Sequence, residues 1–288
     1  AVFGGGESPS ADSVMEYMNI QSGGRTVKFG DMSITTPGGT AVSSSTRGVF
    51  TLFNSPANQN CLEYITIATT SNSTDFGDMT IEKERLAALS NNTRGIFGGG
   101  STDPTSPTNT VNTMGYVTIA TLGNATDFGD LTEQRGRLAA TANTTRGLFI
   151  QGNKVPSGTS NVIDYVTIAT AGNATDFGDA LATDDWVAAL ASPTRAIYCG
   201  GNINQIGYVT IATTGDAVDF GDLIGNSLAP GGTSNGTRGV INVSYRGGSS
   251  NSIEYVTIAT TGNSKDFGDM DLHAITTGAA CSDSHGGL

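Results

Sequence analysis

Six times along this 288-residue chain a phenylalanine is followed by Gly-Asp, which sets a carboxylate at Asp31, Asp78, Asp130, Asp179, Asp222 and Asp269. Hard oxygen ligands in equivalent places are the donor type that calcium takes. Eighteen residues after Phe29, Phe76, Phe128, Phe177 and Phe220 stand Arg47, Arg94, Arg146, Arg195 and Arg238, with His285 at that distance from Phe267. A ring of guanidinium groups could hold a carboxylate or phosphate through paired N–H donors. Each chemistry has a scaffold reading beside it. One Asp per unit is too few to enclose a cation unless carbonyls converge with it, and Gly-Asp is the composition of a turn. The arginines could bond carbonyls, or the acids Glu16, Glu63, Asp164 and Glu254 that precede the repeated tyrosines, and staple one unit to the next. Repetition favours the scaffold, because a site usually breaks symmetry and these residues keep it.

Other candidates are sparse. An Asp-Phe-Gly string holds magnesium in protein kinases, yet the Gly-rich phosphate loop, strand lysine and His-Arg-Asp loop that complete such a site are missing from the sequence. Two histidines, His273 and His285, cannot furnish a His-rich metal centre, and neither lies in a nucleophile motif. Cys61, Cys199 and Cys281 fall at different phases of the repeat, which predicts buried small side chains rather than a disulfide framework. The single tryptophan, Trp186, could stack on a sugar, although packing is the commoner role. No catalytic residue, metal or cofactor is expected.

The elements that carry these residues follow from composition and period. Forty glycines and only 14% charged residues describe short strands and many turns, with no persuasive amphipathic helix, so the expected class is all-β. A net charge of -12 disfavours nucleic acid, whose affinity rests on Lys and Arg displacing counterions. No apolar run is long enough to span a bilayer, so membrane insertion is not expected. The sequence opens on Ala1 rather than Met, as a processed or truncated chain would, and the native polypeptide could extend past either end.

Tyr17, Tyr64, Tyr116, Tyr165, Tyr208 and Tyr255 each stand twelve residues before the repeated phenylalanine, so a Tyr-x11-Phe-x17-Arg frame recurs six times without insertion, His285 serving as the sixth Arg. The mean unit is 48 residues, the length of four short strands and their turns, which is one blade of a β-propeller. The strands are placed after the Arg ("GIFGGG"), at the Tyr ("EYITIA"), at the Phe ("TDFGD") and on a small-residue run ("LAALS"). Ser43, Ser90, Ala142, Ala191, Ser234 and Cys281, fourteen residues after each Phe, are all small, as strands crowded around an axis require. "AVFGGG" at the start matches the strand after the Arg, and "TTGAACSDSHGG" at the end supplies the small-residue strand before it. The prediction is one six-bladed propeller over 1–288, four antiparallel strands per blade, closed by overlap of the two ends so that no sheet edge is left open.

The unit, with Gly pairs at Gly4 and Gly5, Gly98 and Gly99, and Gly200 and Gly201, resembles a divergent kelch repeat in which Phe replaces the usual Trp. The fuller string "YVTIAT-GNATDFGD" followed by "TRGVFGGG" is similar to repeats in virion structural and tail-associated proteins of marine tailed bacteriophages. That resemblance implies a virion location and a structural or adhesion role, with other virion proteins and host-surface glycans as partners and a homo-oligomer within the particle. The paired His and Tyr of kelch-like copper oxidases and the Asp boxes of sialidases are not visible.

With the frame as scaffold, distinctive surface falls to the segments between Arg and the next Tyr: 7–15, 54–62, 101–114, 153–163, 202–206 and 245–253. They join equivalent strands and should emerge on one side of the ring. Their polar residues Asp103, Asn109, Asn153, Lys154, Asn202, Asn204 and Arg246 are the candidates for contact with a protein or glycan. The alternative functions are a carbohydrate-binding lectin of a secreted or cell-surface protein and, last, a glycan-active enzyme, which would need an asymmetric cluster of acids or His.

Overall fold

The computed structural model of the chain describes residues 1–6, 11–36, 39–52, 60–103, 109–154, 158–228, 230–243, 250–271 and 279–283. Those residues form strands, turns and bridges, with no helix among them. Six antiparallel sheets stand in a ring, a six-bladed β-propeller. Blade 2 shows the plan. The small-residue strand Ala41–Ser43 pairs with Arg47–Thr51, that strand with Cys61–Thr66, and the last with Thr74–Asp78. Blades 3 to 6 repeat this order, and blade 4 adds a two-residue strand, Arg135–Gly136, beside Arg146–Lys154. Blade 1 is assembled from both ends of the chain. Ala279–Cys281 pairs with Val2–Gly4, which leads on to Asp12–Tyr17 and Val27–Thr36. The predicted closure is therefore present.

Each blade is too thin to bury its own faces, so the core lies between blades. Six clusters fill the six junctions; one example joins Phe76 and Val49 of blade 2 to Phe97 and Val117 of blade 3. Each repeated tyrosine meets its phenylalanine edge to face, with ring centroids 5.7 to 6.2 Å apart.

The Asp-Phe-Gly-Asp segment is the outer strand, and its phenylalanine is the extra residue of a β-bulge. In blade 6 Ile253 faces Gly268 and Glu254 faces Asp266, which leaves Phe267 unpaired and turned into the core; the same register shift recurs in all six blades. The glycine that follows meets two demands, seen at Gly221. Its φ is +145°, and a Cβ there would lie 2.6 Å from the backbone of Gly262 in the next blade. That close approach lets Gly262 N–H donate to Phe220 O (2.7 Å) and Ser264 N–H to Asp222 O (2.9 Å), while Asp222 N–H donates to Asn263 Oδ1 (3.1 Å). The outer edge of one blade is thereby covered by a loop of its neighbour. The repeated string is scaffold, and its backbone rather than its carboxylate makes the joint.

The arginines staple blades through carbonyls. Arg47 Nη1 donates to Ile119 O, Arg94 to Ile168 O, Arg146 to Ile211 O and Arg195 to Ile258 O at 2.8 to 2.9 Å, each reaching the next blade. Arg238 closes the series on Ile20 O (3.1 Å) and Gln21 O (3.0 Å). The acids before the tyrosines, expected as alternative partners, do something else. Glu63 accepts from Ser33 N–H (3.1 Å), from the Ser33 hydroxyl and from the Ser73 hydroxyl; Asp164 accepts from Thr132 and Glu254 from Ile224. They satisfy N–H groups four residues past the previous blade's phenylalanine. Blade 5 has Gly207 in that place, and the Tyr198 hydroxyl fills the vacated volume and accepts Leu181 N–H at 2.8 Å. Burial pushes the Tyr198 pKa up to about 12, so the hydroxyl stays protonated and neutral at ordinary pH.

Two other expectations need correction. In the last unit the innermost small residue is Ser282, not Cys281. Cys281 pairs with Val2 and packs its Sγ against Gly48 of blade 2, as Val42 of blade 2 packs against Gly95 of blade 3, while the Ser282 hydroxyl donates to Ser234 O (2.6 Å) as the Ser43 hydroxyl donates to Ser282 O (2.8 Å). The unit holds one more residue between Phe267 and the inner strand, so the frame is not free of insertions, and His285 is moved by count off the arginine place. His285 and His273 lie outside the described residues. Cys199 and Cys281 are buried, as expected, but Cys61 is half-exposed at the start of its strand, and all three are free thiols.

Candidate binding face and channel mouth

Strand direction divides the ring into two faces. One carries the uniform turns: the tight turn before each Arg, with Asn91 Oδ1 accepting from Thr93 and Arg94 N–H, and the loop between the Tyr and Phe strands. The other carries the segments from Arg strand to Tyr strand and the crossovers between blades. The described residues that flank the variable segments thus share a face.

The candidate residues on it make separate local pairs and do not converge. Asn109 Nδ2 donates to Asp103 Oδ2 (3.3 Å), tying off the loop of blade 3. Lys154 Nζ lies 3.4 Å from Glu133 Oε1, and Asn153 sits beside it in the same strand. Asn202, exposed at φ +65°, donates its N–H to Ser227 O (3.0 Å), and Asn204 lies half-buried in Ile203–Thr210. Arg246 lies outside the described residues.

What the face does bring together is a set of charged residues on the crossovers around blades 3, 4 and 5. Nine residues after their phenylalanines, Arg85, Arg137 and Trp186 occupy equivalent places at the start of the inner strands, all with left-handed φ of 54° to 58°. They form a staggered chain: Arg137 N–H donates to Arg85 O (2.7 Å) and Trp186 N–H to Arg137 O (2.9 Å). The guanidinium of Arg137 stacks 4.7 Å from the centre of a Trp186 ring and pairs with Asp185 (3.2 Å), while Arg85 Nε pairs with Glu84 (3.1 Å). Burial holds the Glu84 and Asp184 carboxyls above their ordinary pKa values, with Arg85 and Arg137 opposing the effect at Glu84. The residues that follow this trio, Leu86, Leu138 and Val187, line a hollow of about 130 Å³ between the inner strands, so each member of the trio stands one residue before that lining.

Two residues before Arg85 and Arg137, seven residues after the phenylalanines, two cations are buried. Arg135 is fully buried; it donates to Asp164 Oδ2 (2.5 Å), Gln151 O (3.0 Å) and Val162 O (2.6 Å). Lys83 donates to Thr113 O (2.8 Å), and burial lowers its pKa to about 7. Reading by repeat missed this group, except for Trp186, because it departs from the repeat. The signal was present: Lys83 and Arg135 share one offset from Phe, and Arg85, Arg137 and Trp186 another. Among the described residues no three His, Cys, Asp or Glu side chains are grouped as metal ligands, and no helix is long and apolar enough to cross a membrane. No protein-family model matches the chain, and no curated protein matches it.

Proposed function

We propose that the protein is a non-enzymatic binding module, a structural or adhesion element that meets its partner through the variable face. The observation that carries this reading is the division of the ring. One face repeats the same turns, and the other gathers the described ends of the variable segments together with charged and aromatic residues on the crossovers into blades 3, 4 and 5. Rigid scaffolds present binding residues in this way. The charges of this group are held in mutual pairs, which suits orientation and contact better than proton transfer. The setting of a tailed-bacteriophage virion, with virion proteins or host-surface glycans as partners, rests on the resemblance of the repeats to phage virion proteins. The stack of Arg137 on Trp186 favours, as a second reading, a carbohydrate-binding role for the same face.

The test is binding of the labelled chain to bacterial cells and to a glycan array, comparing Arg137→Ala with Leu122→Ser, a change at an exposed position on the turn face. Loss of binding with Arg137→Ala alone supports the reading. Binding that follows the turn face, or that neither variant alters, overturns it.

A further inference from the structure

The joint between blades 2 and 3 holds a buried cation without its acid. At the joint of blades 3 and 4, Arg135 donates to Val162 O and pairs with Asp164, which in turn accepts Thr132 N–H. Lys83 holds the place of Arg135 one blade earlier and donates to Thr113 O (2.8 Å), the counterpart of Val162 O, but Gly115 stands where the acid would. Lys83 is buried, and among the described residues no carboxylate pairs with it. The N–H of Thr80, the counterpart of Thr132, has no acceptor among the described residues, and the buried hydroxyl of Thr113 has no partner among them. Thr113 and Gly115 lie two residues apart in one strand, so that hydroxyl projects on the side from which the carboxylate is missing.

Blade 5 also has glycine in the acid's place, yet there a ring fills it: a Cβ on Gly207 would lie 2.3 Å from Tyr198 Cζ. Blade 3 carries Phe97 at the position of Tyr198, and that ring stays out. The atoms nearest to a Cβ on Gly115 are Thr80 Oγ1 at 3.2 Å, Thr80 Cγ2 at 3.4 Å and Thr126 O at 3.6 Å. Thr80 is exposed, which gives the place a route to solvent.

We propose that Lys83, Thr80 and Thr113 form a binding site for a small carboxylate of the size of formate or acetate, seated beside Gly115 in the place of the missing acid. An ammonium group, a backbone N–H and a hydroxyl are the donors that such an anion takes. Blades 2 and 6 show that this kind of joint accepts a carboxylate, because Glu63 and Glu254 are buried there on N–H and hydroxyl donors alone. Lys83 adds a cation to that set. Burial without a counter-charge lowers its pKa to about 7, and a carboxylate beside it favours the ammonium form. The net charge of -12 repels anions at long range, so affinity rests on these local donors. A ligand of three heavy atoms then reaches roughly millimolar affinity at best.

The experiment is an NMR titration of the nitrogen-labelled chain with sodium formate, at constant ionic strength made up with chloride and at about pH 6, where Lys83 is protonated. The expected result is a saturable shift of the Thr80 and Gly115 amide signals. Lys83→Met should weaken the binding at least about tenfold. Gly115→Asp tethers a carboxylate in the same place, so it should abolish the response to formate and raise the urea midpoint above that of the native chain in formate-free buffer. The remaining amide signals report that each variant is folded. No saturable shift at Thr80, an equal affinity in Lys83→Met, a formate response retained by Gly115→Asp, or a lower urea midpoint for Gly115→Asp overturns the proposal.

Discussion

Gly221 and Gly262 meet across the junction of blades 5 and 6, yet they ask different things of a side chain. Their φ angles are alike, +145° and +152°. A Cβ on Gly262 would meet nothing within 4 Å, while one on Gly221 would lie 2.6 Å from the carbonyl carbon and oxygen of Gly262 itself. Gly262→Ala therefore carries backbone strain alone, of order 1–3 kcal/mol. Gly221→Ala carries similar strain and must also push the neighbouring loop away. That loop makes four hydrogen bonds to the outer strand, at 2.7, 2.9, 3.1 and 3.3 Å, each worth about 1 kcal/mol net. Loss of two of the four sets the expected gap between the variants at about 2 kcal/mol, with Gly221→Ala the less stable. Urea unfolding followed by tyrosine fluorescence measures both, and an unchanged m value confirms that the same surface is being exposed. Equal destabilisation within about 0.5 kcal/mol would refute the claim that the glycine serves the approach of the next blade, leaving local backbone conformation as its only role.

Three further outcomes follow from the buried polar groups. Arg135→Met leaves Asp164 buried without its cation and should cost about 3–5 kcal/mol in chemical denaturation; adding Asp164→Leu should recover a good part of that loss, because the second charge is then removed as well. Lys83, whose folded pKa of about 7 lies below that of an unfolded lysine, binds fewer protons when folded, so stability should climb as pH rises from about 7 towards 10, by at most about 1.4 kcal/mol per unit. Comparing the native chain with Lys83→Met across that window should show the climb only in the former. Tyr198→Phe removes the acceptor of Leu181 N–H and should destabilise by about 1–3 kcal/mol, visible as a lower urea midpoint.

Much of the scaffold was legible before any coordinate. Strand positions follow from alternation and turn residues within a few neighbours, and six copies let each unit check the others, so Tyr, Phe, Arg and the small inner residues could be assigned by spacing. Closure was legible too, because "AVFGGG" and the C-terminal run are two halves of one unit. The exception is instructive. An extra residue between Phe267 and the inner strand puts Ser282 where spacing placed Cys281, and hydrogen bonding rather than count reveals it.

What the tertiary structure decided are the partners across the junctions. The acids before the tyrosines looked suited to the arginines by charge, yet they reach backward to N–H groups of the preceding blade, while the arginines reach forward to carbonyls. Tyr198 stands in for an acid because Gly207 leaves room for its ring, a substitution between different strands that no spacing rule encodes. The trio of Arg85, Arg137 and Trp186 becomes a unit only when three crossovers come together. The physical reason is one of range. Strand and turn preferences act between residues close in the chain and leave a periodic trace, whereas blade contacts join residues dozens of positions apart, where packing geometry selects among several chemically acceptable partners.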